Sequence, residues 1–149
     1  MAIEYRLTLA GDIPLEDVAR LAAPDATERL TKSGKRMLTS ALDERGYVVD
    51  VTAGSGGYYD AEDDGSQWVW EPDAYVDIDF RMDKDTLSDK GIPNMLTTVA
   101  RVLADRTEDA VLVMNGNWLL LTRFSGVLRK HNLTEWYDDE YDRILAGVV

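Results

Sequence analysis

Residues 57–82, Gly57-Tyr-Tyr-Asp-Ala-Glu-Asp-Asp-Gly-Ser-Gln-Trp-Val-Trp-Glu-Pro-Asp-Ala-Tyr-Val-Asp-Ile-Asp-Phe-Arg-Met82, decide how the rest of the chain is read. Asp64-Gly65 is a favoured two-residue hairpin turn, because both central positions of the primed turn need positive φ. A hairpin centred there sets Tyr59 opposite Trp70 and Ala61 opposite Trp68 on one face. Asp60 and Glu62 fall on the other face with Val69 and Gln67. The same acids also imitate a calcium loop: Asp60, Glu62 and Asp64 alternate, Gly65 follows, and Glu71 comes seven residues after Asp64. That loop needs a helix on each side, whereas here a glycine cluster precedes it and Pro72 follows. The hairpin is therefore the preferred reading, with a calcium-binding module as the alternative.

The strand that follows alternates strictly. Val76, Ile78, Phe80 and Met82 face one way, and Tyr75, Asp77, Asp79 and Arg81 the other, the period of a half-buried strand. Two aspartates on one strand face have the form of an acid–base pair, so a small carboxylate-dependent enzyme is a further alternative. A solvated sheet face is the simpler expectation.

Outward from this stretch, Ile3, Tyr5, Leu7 and Leu9 make a first strand with Glu4, Arg6 and Thr8 on its polar side. Pro14 opens a helix with the apolar stripe Leu15, Val18, Ala19 and Ala22, ended by Pro24. Asp25 to Arg36 reads as a polar loop with a small basic cluster at Lys32, Lys35 and Arg36. Arg36 to Arg45 fits either a strand or a short helix, with a strand followed by a helical turn preferred. Tyr47 to Ala53 is a strand, and Gly54 to Gly57 reads as a flexible connector. A charged segment, Asp83 to Lys90, precedes a helix starting near Pro93, in which Ile92, Met95, Leu96, Val99, Val102 and Leu103 recur at helical spacing. Ala110–Met114 and Trp118–Leu121 are apolar on both faces, so they belong in the middle of a sheet, joined through Asn115-Gly116. Ser125-Gly126 turns into Val127–Lys130. A last helix is expected from Asn132, as cap, with Glu135 completing a capping box. Tyr137, Tyr141, Ile144, Leu145 and Val148 would form its inner face.

This order implies a single α+β domain over residues 1–149: a mostly antiparallel, hairpin-rich sheet with about three helices on one face. Glu4, Arg6, Asp50, Thr52, Asp77, Asp79 and Arg81 would share the opposite, open face. Asp and Glu number 28 against 16 Lys and Arg, a formal charge of −12. That balance disfavours direct binding of nucleic acid or an anionic membrane and suits a basic protein partner. The chain has no cysteine, which removes disulfides and thiolate chemistry, and one histidine, which removes histidine metal clusters. His131, beside Lys130, reads as a solvated residue, and no nucleophile elbow is present. No stretch resembles a signal peptide or a membrane span, so a cytoplasmic protein is expected.

The opening AIEYRLTLAGDIPLEDVA resembles the start of the Sit-type immunity proteins, associated with bacterial swarming-inhibition toxins. The resemblance continues through YYDAEDDGSQWVWEPDAYVDIDFRMDK, NMLTTVARVL, EDAVLVMNGNWLLLTR and LRKH followed by Trp136. Residues 25–36 lie outside it. It implies a cytoplasmic protein, not an enzyme, that binds and neutralises a cognate toxin, with no cofactor and no assigned catalytic residues. Thr31 to Leu38 and Asp83 to Lys90 are where the chain departs from that pattern, and these differences would bear on which toxin is bound. The expected contact residues are Asp60, Glu62, Asp63 and Asp64 on the hairpin, with Asp77 and Asp79 on the sheet. Oligomeric state is left open.

Overall fold

In the computed structural model, which describes residues 2–42, 45–86 and 90–148, the N-terminal strand β1 (Ala2–Ala10) lies inside a ten-stranded sheet. It pairs on one side with β7 (Ala74–Asp83) and on the other with β8 (Ala110–Met114), antiparallel in both cases. Its alternation makes this position tolerable, since each face meets a different environment. Tyr5, Leu7 and Leu9 stand opposite Phe80, Ile78 and Val76, and all six are buried under the helices.

Beyond β7 the sheet continues through β4 (Tyr47–Ser55) and β3 (Arg36–Leu42) to β2 (Thr27–Leu30) at one edge. Beyond β8 it continues through β9 (Trp118–Phe124) to the hairpin of β5 (Tyr59–Asp63) and β6 (Ser66–Trp70), while β10 (Val127–Lys130) also pairs with β9. Among the described residues every pairing is antiparallel except the parallel bridge Glu62–Trp118 between β5 and β9. β8 and β9 are central, as their two-sided apolarity predicts, and a register shift between Leu112 and Val113 bends the pair.

Helices α1 (Leu15–Ala22) and α2 (Ile92–Asp105) cover the apolar face. Val18, Met95, Leu96, Val99 and Val102 are fully buried there, so both predicted stripes meet the sheet. The C-terminal segment differs from the single helix expected. It forms α3 (Leu133–Trp136) and α4 (Asp139–Leu145), separated by extended Tyr137 and by Asp138, which caps α4 by accepting the Tyr141 N–H. Asn132 does not cap: its backbone is left-handed at φ 52° and its side chain is committed elsewhere. The inner face is nonetheless as expected, since Tyr141 and Leu145 are buried and Tyr137, Ile144 and Val148 pack against the same core.

Two segments read as loops are strands. Thr27–Leu30 pairs with β3 although it has no apolar face, because it is an edge strand and its residues are exposed on both sides. Gly54 and Ser55 extend β4 rather than forming a connector, with the ring of the cross-strand Tyr75 laid over Gly54. Arg36–Leu42 is a strand, as preferred; the turn expected after it falls partly on residues 43–44, outside the described residues. The charged segment after β7 begins with a 3₁₀ turn, Lys84–Thr86, and residues 87–89 of it also lie outside them.

The polar side of the sheet is not open throughout. Val111, Val113 and Leu119 lie on it, and the β5–β6 hairpin covers them with Ala61, Trp68 and Trp70, joined by Phe124, in a second small core. The indole rings therefore pack inward, on the side of the sheet away from the helices.

Candidate protein-binding surface

The hairpin forms in the expected register. Tyr59 opposes Trp70, Ala61 opposes Trp68, and Asp63 opposes Ser66. Asp64 and Gly65 take φ values of 49° and 85°, both left-handed as the primed turn demands. Asp60, Glu62 and Asp64 are exposed, while Asp63 is half-buried. The flanks are β4 and β7, so the two helices of a calcium loop do not frame these acids. Extended backbone places Asp60 and Glu62 along the hairpin's outer face, and no group of three or more acids and histidines is arranged to hold a metal ion among the described residues.

Beneath the hairpin lies a polar ladder on β1, β4 and β7. Asp50 stands directly opposite Asp79, which stands opposite Arg6; Thr52, Asp77 and Thr8 form the neighbouring row; Arg81 opposes Glu4. All seven residues expected on one face do share it, since directly opposed residues point the same way. Arg6 Nε donates to Asp79 Oδ1 at 2.6 Å and lies 3.8 Å from Asp77 Oδ2. Arg81 donates to Asp50 Oδ2 at 2.9 Å, and Thr39 donates to Asp50 Oδ1 at 2.6 Å. Asp77, only 7% exposed, accepts from Thr8 Oγ1 at 2.6 Å and from Tyr59 OH at 2.9 Å. The solvated face expected here is thus buried at Asp77, because the hairpin delivers Tyr59 onto it.

Burial raises the carboxyls of both Asp77 and Asp79 above the ordinary aspartate value, against the opposing pull of Arg6 and, at Asp77, of the Thr8 and Tyr59 hydroxyls. Burial first, and the Asp77 carboxylate second, push the Tyr59 phenol far above its usual range. A small cavity of about 210 Å³ lies where the ladder meets β5, lined by Glu4, Arg6, Tyr58, Asp60, Asp79 and Asn115 among others. It brings Asp60 and Asp79 together. Asp77 is not part of its wall, so the two strand aspartates do not converge on one opening.

Two residues for which the sequence suggested other roles, a solvated His131 and a helix-capping Asn132, seat the hairpin. His131, read as solvated, is 6% exposed. Its Nε2 is 2.8 Å from Thr122 Oγ1 and its Nδ1 is 3.0 Å from Asp63 Oδ1. Asn132, fully buried, donates from Nδ2 to the carbonyls of Glu62 and Leu119 and accepts the Asp64 N–H at Oδ1. A histidine next to an asparagine after a strand carries no signal for this, since the partners come from β5 and β9.

The result is an α+β domain in which an exposed carboxylate-bearing hairpin is fastened across an aspartate–arginine ladder. The chain belongs to the SitI3-like family, whose model matches residues 3–140, in agreement with the resemblance to Sit-type immunity proteins. No curated protein and no solved structure matches it. No helix among the described residues is long and apolar enough to cross a membrane.

Proposed function

We propose that this protein is a cytoplasmic immunity protein that binds a cognate bacterial toxin and neutralises it by contact, without catalysing a reaction. Membership of the SitI3-like family carries this reading. The contact surface is the hairpin's exposed Asp60, Glu62 and Asp64 with the half-buried Asp63 and Asp79 beside them. Asp77 supports this surface from below by holding Tyr59.

A formal charge of −12 suits a basic partner, whose approach it would steer. Were that partner a nuclease, the acidic hairpin would compete for the groove that takes the nucleic acid backbone. Rigid seating of the hairpin favours affinity, because little order is lost on binding.

The test is binding of the purified protein to the product of the adjacent upstream gene, with rescue of cells expressing that product. Tight binding with rescue supports the reading. A neighbour that is neither toxic nor bound removes it.

A further inference from the structure

Strand β6, Ser66-Gln-Trp-Val-Trp70, ends the sheet opposite the β2 edge. In a hairpin closed by a two-residue turn, the pair flanking the turn exchanges hydrogen bonds and the pattern then alternates. Asp63–Ser66, Ala61–Trp68 and Tyr59–Trp70 are therefore the bonded pairs, and Glu62–Gln67 and Asp60–Val69 are not. The partner strand agrees: Glu62 turns away from β6, its N–H donating to the Asn117 carbonyl at 2.8 Å and its carbonyl accepting from Asn132 at 2.9 Å. By the same alternation, the N–H and C=O groups of Gln67 and Val69 point off the free edge, and no partner for them occurs among the described residues.

Exposed edges are ordinarily blunted by charge, proline or bulges. β2 carries Glu28 and Arg29, and Glu28 is tied to Arg36 at 2.6 Å. β10 carries Arg129 and Lys130. β6 has no charged residue and no proline, and its Val69 is 47% exposed. It is an edge left ready to pair.

Its two faces specify what pairs. On one, Val69 and Gln67 stand opposite Asp60 and Glu62, with exposed Glu71 next along the chain. A strand added outside β6 would lie two strand spacings, roughly 10 Å, from β5, within reach of a lysine or arginine leaning across Val69 towards those carboxylates. On the other face, Trp68, Trp70 and Phe124 are only half-buried and would pack apolar side chains. We propose that β6 is a strand-addition site for an extended segment of the partner that alternates basic and apolar residues. This rests on the toxin-binding reading and names the segment it takes.

The probe is an acetylated peptide of alternating lysine and valine, titrated into isotope-labelled protein while amide exchange is followed by NMR. Without peptide, the Gln67 and Val69 amides exchange far faster than that of Trp68. With peptide at saturation they slow by about tenfold or more, as main-chain pairing on an edge requires. Val69→Pro removes one outward donor without touching the β5 ladder and abolishes the effect, as does Val69→Lys, which keeps the backbone and repels the probe. Asp60→Asn with Glu62→Gln weakens it.

Unchanged exchange at Gln67 and Val69 overturns the site, as does peptide binding by both Val69 variants at wild-type strength. Concentration-dependent protection of these amides without peptide assigns the edge to a second copy and overturns the basic partner. If the peptide protects the edge but the neighbouring gene's product does not bind, the edge stands and the immunity reading falls. If that product binds the wild type and both Val69 variants alike, the reverse holds.

Discussion

The imidazole Nδ1 of His131 lies 3.0 Å from the carboxylate of Asp63, so the chain's one histidine fastens the acidic hairpin to the strand behind it. The other ring nitrogen is engaged by Thr122. His131→Ala removes both partners at once from a buried position and leaves Thr122 unsatisfied. The expected loss is about 1–3 kcal/mol in urea unfolding. Hydrogen exchange should show β5 and β6 losing protection ahead of β1 and β7. Equal losses in all four strands would show that the hairpin is not separately held.

Asn132 separates side-chain from backbone effects. Its φ of 52° is a conformation that glycine adopts freely and alanine does not. Asn132→Gly therefore deletes only the hydrogen bonds to Glu62, Leu119 and Asp64, whereas Asn132→Ala adds backbone strain of about 1 kcal/mol. Both variants should be destabilised, and the alanine more so. Chemical denaturation of the two side by side checks the order.

The buried ladder sets a pH dependence. Asp77 and Asp79 titrate above the ordinary value of 3.8 in the folded protein. Between that value and the raised one, the folded state holds more protons than the unfolded state. Their contribution to stability is thus fully present below the unfolded value and is lost as pH rises through the folded one. Asp77→Asn keeps an oxygen for Thr8 and Tyr59 and cannot ionise. Its stability relative to wild type should be higher at pH 7 than at pH 4. Urea midpoints for both proteins at the two pH values decide it; a difference of the opposite sign would mean that the charge on Asp77 is stabilising, through Arg6.

Gly54 is required by its neighbour across the sheet. A Cβ there would sit 2.4 Å from the Tyr75 hydroxyl oxygen and 2.5 Å from Cζ. Tyr75 is itself packed edge-on against Tyr59 at 5.7 Å, so it cannot swing aside without disturbing the ring that holds Asp77. Gly54→Ala should cost about 1–3 kcal/mol, the usual penalty for overpacking. Gly56→Ala meets no side chain among the described residues, though its φ of 64° carries its own smaller cost. Thermal melts of both variants test the ranking.

Much of the fold was legible because it is carried by local periodicity. Ile3 to Leu9 and Val76 to Met82 alternate, Ile92 to Leu103 repeats at helical spacing, and Asp64-Gly65 and Asn115-Gly116 announce turns. The failures share one cause. Thr27–Leu30 is a strand only because β3 offers it an edge. Gly54 looks like punctuation until Tyr75 covers it. Asn132 has the sequence context of a helix cap, and the competing demand of three backbone groups from β5, β9 and the turn wins. Of the candidate contact residues, exposure at Asp60, Glu62 and Asp64 follows from the hairpin pattern. The burial of Asp77 does not, since its lid comes from another strand.

The sequence by itself determined the alternating and two-sided apolar strands, the two longer helices, the hairpin register and the acidic charge, because each depends on residues a few positions apart. Only the tertiary structure decided that β1 lies inside the sheet, that the hairpin folds across the polar face, and that His131 and Asn132 fasten it there. Those arrangements depend on which distant strands meet. Their energies come from desolvation and from hydrogen bonds between groups that no local pattern relates.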